Sequence, residues 1–369
     1  RMRSSRPLLL RVALAACVAP AVAPAACAPP ASTPGAPPAA VVAPREAVAA
    51  PGRPLVIAHR GASGHRPEHT LAAYDLAITM GADYVEPDLV STRDSVLVAR
   101  HENEIGGTTD VAERFPERRR TQTIDGVAVT GWFTEDFTLA ELRTLRARER
   151  LPMRSRAHDG QHGIPTFDEV LALVARRSRE LGRPIGVYPE TKHPGHFRAI
   201  GRPLEEPLVA ALRAHALDRA DAPVFIQSFE VGNLERLAGM TRAPLVQLMA
   251  GEGAPPDRAT GPGATTYAAM ATPEGLRAVA RYARAIGAEK RMVQPVDAAG
   301  ALLPPTTLVR DAHAVGLAVH VWTLRNEPVF LPRAYAGDPA AEWRRLAELG
   351  VDGIFGDFPD VGVAARPRR

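Results

Sequence analysis

The sequence predicts a (β/α)8 barrel, irregular at one place and carrying an inserted cap. Three observations predict it. Short apolar runs alternate with helical patterns from Leu55 to Phe355, the texture of a parallel sheet clad in helices. About eight such repeats suit a closed barrel better than an open doubly wound sheet. No dinucleotide glycine fingerprint follows the first apolar run, which disfavours the open-sheet alternative.

Strands are expected at Leu55–Ala58, Tyr84–Leu89, Val96–Arg100, Ile185–Tyr188, Val224–Gln227, Leu245–Leu248, Met292–Gln294, Ala318–Trp322 and Gly353–Phe355. Each is a short apolar run. Helical patterns fall at Thr70–Met80, Leu139–Arg148, Thr166–Leu181, Leu204–Ala216, Glu230–Ala238, Pro273–Ile286, Thr306–Ala314 and Pro339–Leu349. Only Val90–Ser95 separate the second and third runs, too few residues for a crossover helix. The stretch 106–163 is rich in Gly, Thr, Arg and Asp and too long for a simple connection. It is expected to form a cap at the mouth of the barrel, after the third strand.

The chain of 369 residues is 46% hydrophobic and 23% charged, which excludes wholesale disorder and a multi-span membrane protein. A net charge of +4 over this length is a weak field. Basic residues are mixed with acids and lack interleaved aromatics, so no nucleic-acid partner is expected. Arginine dominates the basic residues, and Lys192 and Lys290 are the only lysines.

Residues 1–28 carry a cationic start (Arg1, Arg3, Arg6), then an apolar stretch, then small residues. That is the form of a bacterial secretory signal. Leu14-Ala15-Ala16-Cys17 has the form of a lipobox, and Ala25-Ala26-Cys27 is a poorer version. Export is therefore expected, to the periplasm or as a lipoprotein tethered to the membrane through acylated Cys17 or Cys27. Residues 29–52 are an Ala/Pro-rich linker, and 53–364 form the barrel domain. Both cysteines lie in the leader, so the barrel has no disulfide, thiolate metal site or cysteine nucleophile.

The chemistry is expected at strand ends on one face of the barrel. His59-Arg60-Gly61 ends the first strand: an acid or base near neutrality, a phosphate-matching fork and a tight turn. Glu86 and Asp88 stand two apart and so project to one side of a strand. Two carboxylates facing a core repel each other unless a divalent ion lies between them, and carboxylate-only ligation points to Ca²⁺ or Mg²⁺ rather than zinc. Glu190 adds a third carboxylate, His101 a second imidazole and Lys192 a compact ammonium for a phosphate oxygen. Together they suit metal-assisted cleavage of a phosphate diester.

These residues resemble the glycerophosphodiester phosphodiesterases, in particular the longer exported bacterial type. The matching blocks include IAHRGASGHRPEHTLAAYDLAITMGADYVEPDLV (57–90), VLVARHENEIGGTTDVAERF (96–115), GVYPETK (186–192), VHVWTLRNE (319–327) and GVDGIFGDFPD (350–360). The resemblance implies a divalent ion, most often calcium, on Glu86, Asp88 and Glu190, with His59 and His101 as the acid/base pair. It places Arg60 on the phosphate and Glu68 in the site, touching the metal or Arg60. Lys192 lines the phosphate or glycerol pocket, Trp322 forms an apolar wall for glycerol, and Gln227 and Phe229 lie nearby. The implied substrate is a small glycerophosphodiester, cleaved to glycerol 3-phosphate and an alcohol with water or the glycerol 2-hydroxyl as nucleophile. Two alternatives are a lysophospholipid or sphingolipid phosphodiesterase of the same superfamily and a non-catalytic surface binding protein. The chain departs from the common pattern at Pro87, at His69 in place of Asn, and at Glu102 in place of Asp.

Overall fold

A computed structural model describes residues 53–367. The leader and linker, with Cys17 and Cys27, lie outside the described residues. The strands in chain order are β1 (Leu55–His59), β2 (Tyr84–Glu86), β3 (Asp88–Ser91), β4 (Leu97–Ala99), β5 (Arg120–Ile124), β6 (Val127–Gly131), β7 (Gly186–Val187), β8 (Glu190–Thr191), β9 (Ile226–Ser228), β10 (Leu245–Met249), β11 (Ala285–Glu289), β12 (Ala318–Leu324) and β13 (Gly353–Gly356). β2 and β3 are one stave interrupted at Pro87, and β7 and β8 another, interrupted at Tyr188-Pro189. Proline donates no ladder hydrogen bond, so a strand lapses where it stands. The carbonyls still serve: Glu190 donates to Pro87 at 3.0 Å and Gln227 to Pro189 at 2.9 Å.

All eight staves pair in parallel. β13 and β2 flank β1; β7 and β8 follow β2 and β3; β9, β10, β11 and β12 then lead back to β13. The circuit closes, giving the expected (β/α)8 barrel. Helices clad it where the sequence sets caps. Thr166 caps Phe167–Leu181 with a reciprocal Glu169 bond, and Gly182 ends that helix in the left-handed region. Thr70 caps Leu71–Thr79, and Asp338 caps Pro339–Glu348.

Four expectations need correction. The run Val96–Arg100 is not a stave: β4 pairs antiparallel with β3 as a hairpin outside the circuit, because Thr92–Val96 is a tight turn closed by Val96 N–H to Thr92. The run Met292–Gln294 is no strand; Lys290–Met292 is a single 3-10 turn. The stave is β11, taken from the end of the expected helix Pro273–Ile286, which stops at Val279. Its small residues are what the barrel needs there, since a Cβ on Gly287 would lie 2.5 Å from Leu248. The pattern at Leu139–Arg148 is helical only over Leu139–Leu142.

The insertion after β4 holds the hairpin β5–β6, turned by Asp125 (φ 48°) and Gly126 (φ 82°), the left-handed pair that a two-residue hairpin demands. Beyond it come the short helix Leu139–Leu142 and then irregular chain to Gly163, tied back where Thr109 bridges Ala147.

Strand alternation sorts the barrel interior into layers. The lower layer is an apolar plug of Ile57, Tyr84, Tyr188, Phe225, Val246, Ala285 and Phe355. Tyr188 stacks on Phe225 at 5.1 Å and meets Phe355 edge-on at 4.9 Å. Truncating one such aromatic costs about 3–5 kcal/mol. Two residues further along the staves come His59, Glu86, Glu190, Gln227 and Asp357. The plug thus forms the floor on which the polar layer stands.

The turn leaving β1 is tight. Arg60 (φ 62°) and Gly61 (φ 85°) are both left-handed, and a Cβ on Gly61 would stand 2.6 Å from the Ala73 backbone. Left-handed strain of about 1–2 kcal/mol and overpacking of about 1–3 kcal/mol should add in Gly61→Ala. A denaturant melt is expected to show a loss near 3 kcal/mol; a loss under about 0.5 kcal/mol, the scale of a neutral surface change, would contradict this account.

Candidate active site

His59 ends β1 with its ring nearly buried. Its Nδ1 lies 2.5 Å from Asp357 Oδ1, so Nδ1 carries the proton and Nε2 keeps a free lone pair. Burial, then the Arg60 guanidinium, pull the imidazole down to about 4, against the opposing pull of Asp357. His59 is therefore neutral at physiological pH. Asp357 is itself a hub, accepting from Arg154 at 2.6 Å and from Arg325 at 2.9 Å. Burial opposes its ionisation, but His59 and the two arginines hold it well below the usual carboxylate range.

Arg60 follows in the left-handed turn. Its backbone N–H donates to Glu86 Oε2 at 2.8 Å, and its guanidinium donates to Glu68 Oε2 at 2.9 Å. Glu68 also accepts from Arg150 at 2.8 Å. Of the two contacts expected for Glu68, the structure shows the one with Arg60.

Glu86, Asp88 and Glu190 converge, each offering an oxygen within 4.8 Å of the others, and all three are buried. Burial first, then Asp88 and Glu190, push the Glu86 carboxyl well up. Glu190 is pushed up to about 7, by burial first and then Asp88, with Lys192 opposing. Asp88 goes the other way: burial is overcome by Lys192 and His69. Lys192 stands 2.7 Å from Glu190 and 3.6 Å from Asp88. One ammonium does not saturate three carboxylates, and Asp88 Oδ1 and Gln227 Oε1 remain buried without a hydrogen-bond partner. An all-oxygen donor set with orphaned acceptors fits a hard divalent cation.

The other expected residues gather around this centre. Gln227 donates to Glu86 Oε1 at 2.9 Å. Trp322 donates to the Gly287 carbonyl at 2.9 Å and meets Phe229 edge-on at 5.8 Å. His101 reaches the same cleft from the end of the β3–β4 hairpin rather than from a stave, with Nδ1 3.0 Å from Glu102. Burial, then Arg60 and Lys192, lower its imidazole to about 3. The cleft measures about 280 Å³. It brings together His59, Arg60, Glu86, His101, Glu190, Lys192, Gln227, Phe229 and Trp322, with Asp88 and Glu68 beneath its surface.

Sequence reasoning missed several participants. Asp357 stands two residues beyond Phe355 on β13 and was legible by alternation. Arg150 and Arg154 come from the irregular part of the cap and carry no pattern. His69 donates to Asp88 at 3.0 Å and accepts from the Tyr74 hydroxyl at 2.8 Å, so it orients one of the three clustered carboxylates. His193, in the turn after β8, contacts Glu102 at 2.7 Å. The second lysine, Lys290, is buried at the rim of the cleft against Glu342 at 2.8 Å.

The profile of the Glycerophosphoryl diester phosphodiesterase family matches residues 59–361. An Arabidopsis thaliana protein named glycerophosphodiester phosphodiesterase GDPD6 is 36% identical over 321 residues, covering 83% of this chain and 84% of its own. The Haemophilus influenzae glycerophosphodiester phosphodiesterase is 30% identical over 332 residues, covering 84% and 88%. A putative glycerophosphoryl diester phosphodiesterase from Silicibacter pomeroyi shares the fold with a TM-score of 0.62 at 23% identity, over 86% and 95% of the two chains. An Oleispira antarctica phosphodiesterase, solved with the product sn-glycerol-3-phosphate, has a TM-score of 0.56 at 20% identity over 85% and 96%. With the family profile spanning the barrel from His59 to α-helical Val361 and the acid-lined cleft at its mouth, the chain belongs to the glycerophosphoryl diester phosphodiesterase family.

Proposed function

We propose that this enzyme hydrolyses small glycerophosphodiesters to glycerol 3-phosphate and an alcohol, with a divalent cation and two histidines. The observation that carries this reading is the meeting of three buried carboxylates between the imidazoles of His59 and His101. Glu86, Asp88 and Glu190 would hold the ion, Ca²⁺ foremost and Mg²⁺ as the alternative. When bound, it supplies positive charge against the non-bridging phosphate oxygens.

The chain's own residues do the rest. Arg60 and Lys192 bind the phosphate from the floor of the cleft. Phe229 and Trp322 wall the glycerol. His59, its Nδ1 proton committed to Asp357, uses the Nε2 lone pair to take the proton of the attacking hydroxyl. His101 gives a proton to the departing alcohol oxygen. Substrate binding favours its protonated form, because an anionic phosphate offsets Arg60 and Lys192, two of the causes that hold it neutral.

The charged lining of the cleft favours a water-soluble diester over a lipid, and retention of every proposed ligand and imidazole favours an enzyme over a binding protein. Export to the periplasm, with a membrane tether at Cys17 or Cys27, is part of the same proposal and rests on residues 1–28 alone. Palmitate labelling of the expressed chain, lost in the matching Cys→Ser variant, tests the tether.

The direct assay is release of glycerol 3-phosphate from a panel of diesters; no release from any would end the proposal. Chelation should abolish turnover and Ca²⁺ or Mg²⁺ restore it. Glu86→Gln should cut kcat by about 10²–10⁴-fold, the equivalent of several kcal/mol of charge stabilisation, while the thermal melt stays close to the parent. Full activity in chelator would remove the metal from the mechanism. Asp357→Asn should lower kcat on the order of 10²–10⁴-fold with KM little changed. His59→Ala should do the same, and the double variant should be no slower than the worse single one. Multiplying losses would show that Asp357 does not act through His59.

A further inference from the structure

A line of four side chains runs from the cleft to the tip of the cap, and the mechanism above uses only the first. His101 Nδ1 lies 3.0 Å from Glu102 Oε1. The other carboxylate oxygen, Oε2, accepts from His193 Nε2 at 2.7 Å. His193 Nδ1 donates to Asp125 Oδ2 at 2.6 Å. Asp125 is in the turn of the β5–β6 hairpin.

The chemistry of this line is specific. Both nitrogens of His193 face carboxylates, so both donate and the ring is an imidazolium. Burial works against that charge, but the bonds to Asp125 and Glu102 raise its pKa to about 9. A glutamate beside a rim histidine has several rotamers open to it. Here a second, charged donor fixes its far oxygen and leaves the near one against His101. His193 and Asp125 both hold left-handed backbones, φ 47° and 48°, a conformation uncommon for residues other than glycine. A second cavity, of about 290 Å³, lies along the same line and shares His101, Glu190 and Lys192 with the reacting centre.

We propose that Glu102, His193 and Asp125 are positioning residues that hold the His101 ring for proton delivery to the leaving alcohol, so that the cap hairpin completes the active site. This rests on the reading of His101 as the acid. Glu102 keeps the Nδ1 proton of His101 engaged, and Nε2 is the nitrogen turned to substrate. His193 carries the constraint from Glu102 to the hairpin. No group is transferred along the line.

The test compares two substrates on the metal-loaded enzyme: glycerophosphocholine, whose alcohol must be protonated as it leaves, and the glycerophosphodiester of p-nitrophenol, whose phenolate leaves unaided. The variants are His193→Asn, since asparagine accepts a left-handed backbone, and Asp125→Gly, which preserves the hairpin turn. For each, kcat on glycerophosphocholine should fall by about 10–100-fold, part of the 10²–10⁴-fold that a general acid contributes. KM should stay within about twofold, and the p-nitrophenyl diester should lose less than about threefold. His101→Ala, run in parallel, should show the same selectivity at full strength. Equal losses on both substrates in the two variants would overturn the proposal, leaving the line as a fastening for the cap. Parental rates in both variants beside a selective His101→Ala would overturn the positioning role alone. A His101→Ala that slows both substrates alike would overturn the acid role and the positioning role together. Thermal melts accompany each variant; if His193→Asn fails to fold, Asp125→Gly at the hairpin tip decides the question.

Discussion

Like charge in a confined, water-poor space is the constraint that organises this barrel. Glu86, Asp88 and Glu190 stand on adjacent staves with oxygens within 4.8 Å of one another. Desolvation and mutual repulsion both oppose three ionised carboxylates there. The surroundings answer with donors of different reach: Arg60 through its backbone N–H and its guanidinium, the Lys192 ammonium against Glu190, and the neutral His69 ring against Asp88. That answer is incomplete, since Asp88 Oδ1 has no partner and the Glu86 carboxyl is pushed up. The residual deficit of positive charge fits a hard divalent cation.

Much of this was legible because a barrel stave is a two-residue code. An inward apolar residue on the floor marks the position two later as part of the polar layer: Tyr84 and Glu86, Tyr188 and Glu190, Phe225 and Gln227, Phe355 and Asp357. The i, i+2 spacing of Glu86 and Asp88 marked two of the three carboxylates that cluster in the structure, and the end of the next stave marked Glu190. Applying the same rule to β13 points to Asp357 as the partner of His59. The staves themselves were less legible where composition blurs. Ala285–Glu289 is rich in alanine and glycine and reads as the end of a helix, yet packing against Leu248 requires small residues there. The run Val96–Arg100 has strand chemistry and forms a strand, but local turn closure at Thr92 decides its direction, and periodicity carries no information on direction.

The cap was legible as an insertion and not as a set of contacts. Arg150 and Arg154 lie in backbone with no repeat, and arginine is so abundant in this chain that neither stands out. Their partners, Glu68 and Asp357, are 82 and 203 residues away in sequence, a pairing that only the closed barrel brings about. His193 is similar. On a strand its neighbours would have indicated a facing direction, but it lies past the end of β8 in a left-handed turn, where alternation ceases.

The insertion therefore reaches the polar layer from two sides. From one side Arg154 reaches Asp357, the carboxylate that fixes the tautomer of His59. From the other, Asp125 reaches His193 and through it Glu102, the carboxylate beside His101. Both imidazoles thus take their orientation from an acidic residue that the insertion also holds. A barrel rim alone presents side chains on separate, splayed loops, with the rotamer freedom that surface residues keep. The proposed mechanism needs two rings within hydrogen-bond reach of one phosphate, and so needs that freedom removed before substrate arrives. An insertion anchored beside both imidazoles removes it, which is a physical reason for this barrel to carry a long excursion at this strand and at no other among the described residues.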